Sequence, residues 1–404
     1  MKYIVVDDEE AIVRAATVLL EGAGHEVEGF TSSLKALDAA KANPPDCMIV
    51  DIMMPEMDGL ELCRQVKTHL DTADVRVVVL SAKTYEFDRS RAREMGADGY
   101  LTKPIKLDSF IDDLENLIGD TITTTFWGVR GTLPVSGEKS LRYGGNTSCV
   151  AIQCSNAPLL IFDAGSGIKE LSDTMMTKGE RITAKIFISH PHWDHINALP
   201  FFAPLYVAGN EFEILGARHG DTTMRELMSA QMDGIYFPIT IREFAARVFF
   251  RDLGEETISF DNITVKTMLL SHPGNCLGYR VEFQGKSICY ITDNELFNVG
   301  APGHNPSYIQ HLADFCRGTN ALITDTTYTD AEYTSKAGWG HSSVGQVAEL
   351  ATRADVETLY LFHHDPDQAD DAIDEKLAQM EEALTMLGSN VKVVAPREGD
   401  QVRH

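Results

Sequence analysis

The chain has 404 residues, a length that suits about two or three domains, each with its own hydrophobic core. Hydrophobic residues make up 44% and charged residues 24%, which excludes a disordered or fibrous chain. Sixty acidic against 35 basic residues leave a formal net charge of −25, which disfavours broad binding to phosphate backbones, DNA included. No apolar run approaches the ~20 residues of a membrane helix. The opening MKYIVVDDEE lacks the basic-then-apolar build of a signal peptide. Seven cysteines without a C-x-x-C pair read as reduced thiols, so a cytoplasmic location is expected.

From residue 1 to about 120, short apolar runs alternate with stretches of helical period. The runs are Tyr3–Val6, His25–Phe30, Cys47–Val50, Val75–Leu80 and Gly99–Leu101. Helices are predicted over Ala11–Glu21, Leu34–Ala42, Leu60–His69, Arg89–Met95 and Leu107–Ile118. Such alternation predicts a doubly wound, five-stranded parallel sheet, with function at the carboxyl ends of its strands. Asp7 and Asp8 follow the first strand, Asp51 the third, Ser81 the fourth and Lys103-Pro104 the fifth. Converging carboxylates repel unless a divalent cation lies among them, and hard oxygen ligands suit Mg²⁺. Asp51 is then placed as a nucleophile toward a phosphoryl donor, with Ser81 and Lys103 on the phosphoryl oxygens. Acidic residues also gather in solvated loops; the ordered set favours a site.

Residues 1–119 resemble the receiver domain of two-component response regulators, most closely along Asp51–Gly59 (DIMMPEMDG). The resemblance implies that Asp7, Asp8, Asp51 and the Met53 carbonyl bind Mg²⁺ and that Asp51 accepts the phosphoryl group. It further implies Ser81 and Tyr100 as switch residues, Lys103 as the phosphate contact before a cis Pro104, and a histidine kinase or phosphotransfer protein as partner. The junction Leu117–Thr121 has no Gly/Ser or Pro-rich tether, so a second domain, 121–404, is expected to dock closely. No basic helix-turn-helix pattern follows.

Beyond residue 121, strands are predicted at Thr123–Trp127, Cys149–Cys154, Leu159–Phe162, Lys185–Ser189, Ile263–Leu270, Gly278–Phe283, Ser287–Thr292, Ala321–Thr324, Thr358–Phe362 and Val391–Ala395. Helical stretches cover Met224–Met232, Ser343–Arg353 and Asp370–Leu387, consistent with a layered α/β sandwich. The strand Lys185–Ser189 runs into His190-Pro191-His192-Trp193-Asp194-His195, whose imidazoles and carboxylate can serve two adjacent metals. Further donors stand at later strand ends: His272, Asp293 and His363-His364, with His341 in the turn Gly338-Trp339-Gly340-His341. Seven of the 13 histidines fall in these places, which favours a site over scattered surface residues. His25, His69, His219, His304, His311 and His404 have no such setting and read as solvated.

These residues resemble the metallo-β-lactamase superfamily over roughly residues 122–400, which implies an αββα sandwich. The branch they are most similar to includes the tRNA 3′-processing endonucleases and cyclic-nucleotide phosphodiesterases. The resemblance implies one metal on His190, His192 and His272, a second on Asp194, His195 and His363, and Asp293 between them. His364 is the alternative to His363. His341 matches the extra histidine that contacts phosphate or assists the leaving group. The runs Phe126–Thr132 and Tyr143–Ser148 also resemble this branch, although Gly-Gly-Asn is equally a natural tight turn. Two divalent cations, Zn or else Mn or Fe, would acidify a water and polarise a phosphoryl or carbonyl oxygen, with Asp194 orienting the water and His341 serving the leaving oxygen.

The net charge favours a small phosphodiester, such as a cyclic nucleotide, over a long polyanion. Leu199–Asp261 is long enough to cover the site, and Phe201, Phe202, Tyr206, Tyr236, Phe237 and Phe244 either stack on a base or form local core. Rival readings are a carbonyl-ester, lactone or thioester hydrolase on the same metals, a flavo-diiron-type redox protein, and a non-catalytic relay. His192 disfavours the redox branch, which has an acid at that position, and the complete donor set disfavours the relay. Phosphorylation of Asp51 is expected to move Ser81 and Tyr100 and so alter a face used by the second domain or by a second copy in a homodimer.

Overall fold

The computed structural model describes residues 1–82, 86–119, 121–179, 181–235, 237–260 and 262–404, so that Asp120, Tyr236 and Asp261 lie outside the described residues. The chain forms two units, Met1–Thr121 and Ile122–His404.

In the first unit five strands alternate with five helices. The strands are β1 (Lys2–Val6), β2 (Glu26–Phe30), β3 (Cys47–Val50), β4 (Arg76–Ser81) and β5 (Gly99–Thr102). The helices are α1 (Glu10–Gly22), α2 (Ser33–Ala42), α3 (Gly59–Thr68), α4 (Glu86–Glu94) and α5 (Phe110–Ile118). The sheet order is β2-β1-β3-β4-β5, parallel throughout. Successive side chains of a strand point to opposite faces. Ile4, Val6, Met48 and Val50 therefore enter one core, while Tyr3, Val5, Cys47 and Ile49 enter the other. Helices on both faces explain why β3 is buried at every residue. The order reverses between β1 and β3, which opens a crevice at their carboxyl ends, beside Asp7 and Asp51.

The second unit begins with β6 (Ile122–Gly128), β7 (Cys149–Cys154), β8 (Leu159–Phe162), β9 (Thr183–Ile188), β10 (Glu211–Ala217) and β11 (Arg247–Leu253). It continues with β12 (Thr257–Phe260), β13 (Ile263–Leu269), β14 (Leu277–Phe283) and β15 (Lys286–Ile291), then β16 (Ala321–Asp325), β17 (Thr358–Phe362), β18 (Lys392–Val394) and β19 (Gln401–Arg403). Between them run α6 (Ile168–Lys178), α7 (Trp193–Ile196), α8 (Met224–Gln231), α9 (Pro306–Cys316), α10 (Asp330–Lys336), α11 (Val344–Ala354) and α12 (Asp370–Met386). One seven-stranded sheet is ordered β11-β10-β9-β8-β7-β6-β19, the other β12-β13-β14-β15-β16-β17-β18.

The inner faces of the two sheets meet in one core, where Phe126, Phe162 and Phe187 join Tyr279, Tyr290 and Phe362. The outer face of the first sheet packs under α6 and α8 through Ile168, Leu171, Met224 and Met228. That of the second packs under α9, α11 and α12 through Leu312, Val347, Leu350, Met380 and Leu384. This is the αββα sandwich.

The segment from Leu199 builds part of the sandwich. It supplies β10 and β11, which extend the first sheet parallel to β9. Phe202 is buried in the core beneath α6, Tyr206 packs on Phe244, and Phe201 packs on Phe237, so these aromatics are local packing. His404 is half-buried against Tyr360 rather than solvated.

Candidate metal centre

β13, β15, β16 and β17 run in one direction, because β13 and β15 are both antiparallel to β14 and β15 to β17 are parallel neighbours. Their carboxyl ends deliver His272, Asp293, Asp325 and His363 to one edge of the sandwich. From the other sheet, β9 ends at Ile188, the chain turns at Pro191, and the single turn of α7 presents Asp194 and His195.

Two donor sets meet there. His190, His192, His272 and Asp293 have ligand atoms mutually within 4.8 Å, as do Asp194, His195 and His363. His190 Nε2 lies 2.8 Å from His192 Nδ1, which lies 3.2 Å from His272 Nε2. Asp293 divides its oxygens between the sets. Oδ2 stands 3.6 Å from His190 and from His272, while Oδ1 stands 3.2 Å from His195 and 3.1 Å from His363. Asp194 Oδ2 lies 3.1 Å from both His195 Nε2 and His363 Nε2. His363, at φ 62°, turns into the cluster; His364 points away and is buried with neither ring nitrogen hydrogen-bonded.

A metal suits this arrangement on the chemistry of the donors. Imidazole nitrogens at 2.8 and 3.2 Å repel through their lone pairs unless a proton or cation lies among them, and the buried His195 Nε2 has no hydrogen-bond partner. The far side of three of these rings is engaged by an acceptor. A carboxylate or carbonyl only accepts, so the proton is on Nδ1 of His195 toward Asp163 (2.8 Å), of His272 toward the Gly340 carbonyl (2.9 Å) and of His341 toward Asp325 (2.8 Å). That leaves Nε2 of His195 and of His272 as the lone-pair donor, the tautomer a metal ligand needs.

Charge follows the same pattern. Burial pushes the carboxyls of Asp194 and Asp293 up, but the facing imidazoles of His195 and His363 outweigh it and hold both well below the carboxylate range. Burial, reinforced by His195, drives His190 well below the ordinary imidazole value. Burial lowers His341 as well, yet the Asp325 carboxylate prevails and raises it to about 9. Asp293, His341 and His363 also fall within 4.8 Å of one another, and the His341 and His363 rings stack with centroids 4.9 Å apart.

The two glycine-bearing runs brace this site. Arg130 is fully buried and donates to the carbonyls of Gly144 and Gln368. Glu398 accepts from the Asn146 N–H and side chain. The Thr132 N–H donates to Asp194 Oδ2 at 2.8 Å. A Cβ on Gly131 would sit 2.1 Å from His363 Cε1. Sequence reasoning missed the outer carboxylates Asp163, Asp325 and Glu295. Each stands at or just beyond the end of a buried strand, and that position was the available signal.

In the first unit the candidate phosphorylation site is equally compact. Lys103 Nζ bridges Asp7 Oδ2 (2.7 Å) and Asp51 Oδ1 (2.9 Å), and the Lys103-Pro104 peptide is cis. Asp51 Oδ2 accepts from the Met53 N–H at 2.6 Å. Asp7 and Asp51 are buried and Asp8 is exposed. Burial pushes the Asp7 carboxyl up against the pull of Lys103. Ser81 ends β4 beside Tyr100 of β5, and the two side chains are hydrogen-bonded.

A model of the response regulator receiver domain matches residues 3–115, and one of the beta-lactamase superfamily domain matches residues 160–364, half of the chain. The alkaline phosphatase synthesis transcriptional regulatory protein PhoP of Bacillus subtilis is 39% identical over 103 residues, 26% of this chain and 42% of that protein. The chain thus spans less than half of that relative's length. The polar-differentiation response regulator DivK of Brucella ovis is 32% identical over 117 residues, 29% of this chain and 95% of that protein. The crystal structure of the metallo-beta-lactamase fold protein YhfI from Bacillus subtilis covers 70% of this chain and all of its own, with a TM-score of 0.51 at 16% identity, a likeness of fold alone.

Proposed function

We propose that this chain, which belongs to the β-lactamase superfamily and carries a response regulator receiver domain, is a dinuclear metal phosphodiesterase controlled by phosphorylation of Asp51. The observation that carries the reading is the division of Asp293, whose two oxygens face two separate donor sets. Two divalent cations (Zn, or Mn or Fe) would supply Lewis acidity toward a phosphoryl oxygen and acidify a water. His190, His192 and His272 would hold one, Asp194, His195 and His363 the other.

The remaining steps belong to the chain itself. Asp194 is fixed by the Thr132 N–H and orients the water as an acceptor. His341 is held on Nδ1 by Asp325, so its cationic Nε2 is available to donate a proton to the leaving oxygen, a step worth about 10²–10⁴-fold. An imidazolium beside the cluster also favours a phosphodiester anion over a neutral ester. The acidic surface favours a small substrate, such as a cyclic nucleotide.

The receiver requires a phosphodonor such as a histidine kinase, and Mg²⁺ is the cation proposed beside Asp7, Asp8, Asp51 and the Met53 carbonyl. A phosphoryl group on Asp51 replaces the single carboxylate charge with about two negative charges next to Lys103. Lys103 and Ser81 then turn to it and Tyr100 follows, shifting the population of active conformers. None of the described helices is long and apolar enough to cross a membrane, and we place the protein in the cytoplasm.

The test is hydrolysis of bis-p-nitrophenyl phosphate by Zn- or Mn-loaded protein beside Asp194→Ala. Turnover that disappears in the variant supports the reading. Metal-loaded protein that hydrolyses carbonyl esters and leaves phosphodiesters intact overturns it. Equal turnover with and without beryllofluoride on Asp51 overturns the regulatory part.

A further inference from the structure

We propose that Glu295 is a positioning residue of the metal centre, holding His272 and His341 through the Gly338–Trp339–Gly340 turn; the proposal rests on reading the His/Asp cluster as a metal site. Glu295 lies two residues beyond Asp293, is 2% exposed, and contributes no atom to either donor set. Its carboxylate is saturated from one side. Oε1 accepts from the Gly338 N–H (2.6 Å) and the Tyr333 hydroxyl (2.8 Å), and Oε2 accepts from the Gly340 N–H (2.8 Å).

Two backbone N–H groups converge on one anion because Gly338 and Gly340 are both left-handed, at φ 88° and 91°. The Gly340 carbonyl in turn accepts the Nδ1–H of His272, and a Cβ at Gly340 would stand 2.4 Å from that nitrogen. The chain from Glu295 through Gly340 to His272 thus sets both the tautomer and the tilt of a ligand ring.

The same segment is tied on its other side. The Glu295 N–H donates to the carbonyl of Ser271, next to His272. The Leu296 N–H donates to Ser342 Oγ, and Ser342 Oγ donates to the Asn294 carbonyl, so the residue after His341 is pinned to the residue after Asp293. Glu295 therefore joins the ends of β13 and β15 to the turn that carries His341. A buried carboxylate is costly where no charge-specific work is required, and here the bonds to Gly340 and Ser271 lead to residues beside His341 and His272.

The test is Co²⁺ titration of the full chain, with Co²⁺ as the probe, for wild type, Glu295→Gln and Tyr333→Phe. Absorption spectra and chelator competition are the readouts, beside thermal unfolding of the metal-free proteins. Glu295→Gln is expected to bind one of two Co²⁺ ions about 10–100-fold more weakly, with an altered d–d spectrum. Its metal-free unfolding stays cooperative. Tyr333→Phe, which removes one donor and leaves the carboxylate, shifts the same site by less.

Wild-type spectrum and affinities in Glu295→Gln overturn the proposal. Equal weakening of both ions with a collapsed thermal midpoint also overturns it, because that is loss of structure. Should Glu295→Gln not fold, unchanged Co²⁺ binding in Tyr333→Phe overturns it. Wild-type protein that binds no Co²⁺ overturns the metal reading, and this proposal with it.

Discussion

Asp163→Asn separates the orientation of a ligand from the packing around it. Asp163 is fully buried at φ 61°, a backbone conformation that Asn adopts as readily as Asp, so the substitution keeps the turn. Oδ2 accepts from the Ser189 and Tyr290 hydroxyls and from His195 Nδ1, each at 2.8 Å, and Oδ1 accepts from the Ser189 N–H at 2.7 Å. An amide has one oxygen. With that oxygen in the Oδ2 position, its NH₂ opposes the Ser189 N–H, and a buried donor without an acceptor costs about 1–3 kcal/mol. The negative charge that keeps the proton on His195 Nδ1 is also lost. Outer partners of metal ligands typically affect affinity by about 10–100-fold, or about 1.4–2.7 kcal/mol. Zn²⁺ competition against a chromophoric chelator reads the second quantity, and urea unfolding of metal-free protein reads the first. Both are expected to fall. Wild-type Zn²⁺ affinity in Asp163→Asn would refute the claim that Asp163 orients His195, whatever happens to stability.

Gly131→Ala places a methyl against the His363 ring, and a displacement of about 1 Å in a reacting group is worth on the order of 10²-fold in rate. Bis-p-nitrophenyl phosphate turnover should drop by that order, and wild-type turnover would contradict the close approach. Lys376 is fully buried with its ammonium on Gln368 Oε1 and the Thr327 carbonyl, and burial lowers its pKa from 10.5 to about 7. The unfolded chain then binds more protons between about pH 7 and 10.5, so stability should rise with pH across that window, and Lys376→Met should flatten the rise. Parallel urea midpoints for the two proteins from pH 7 to 10 would reject the assignment. Asp51→Asn should take up no hydroxylamine-labile phosphate from acetyl phosphate, and a labelled variant would move the phosphoacceptor elsewhere.

The doubly wound sheet was legible because β3 is Cys-Met-Ile-Val without a polar residue, and because acids stand where strands end. The sandwich was legible for the same reason: β7, β8 and β17 are short runs whose bounds follow from hydrophobicity alone. The gathering of His190, His192, Asp194 and His195 needed no structure, since six residues cannot be far apart. His363 and His364 are a different matter. Adjacent residues have the same local pattern, and only the left-handed backbone at His363 decides which ring enters the cluster. β10 and β11 escaped notice because charge interrupts their apolar runs: the half-buried Glu211 and Glu213 in one, the exposed Arg247 and Arg251 in the other. Asp163, Asp325 and Glu295 were hidden for a further reason. Apart from the Thr327 turn on Asp325, the side-chain partners of these acids lie between 16 and 127 residues away, a separation that no local motif records.

The donors come from both halves of the sandwich, Asp194 and His195 from the loop after β9 and His272, Asp293 and His363 from the ends of β13, β15 and β17. A cation bound between them is therefore a clasp on the seam between two sheets, and its binding energy is also adhesion energy for that seam. Ligand that binds only the closed sandwich stabilises it by RT ln(1 + [L]/Kd), about 2.7 kcal/mol at a hundredfold excess over Kd. Starving the protein of metal would then loosen the very interface that shapes the site, and occupancy and rigidity of the β-lactamase superfamily unit would rise and fall together.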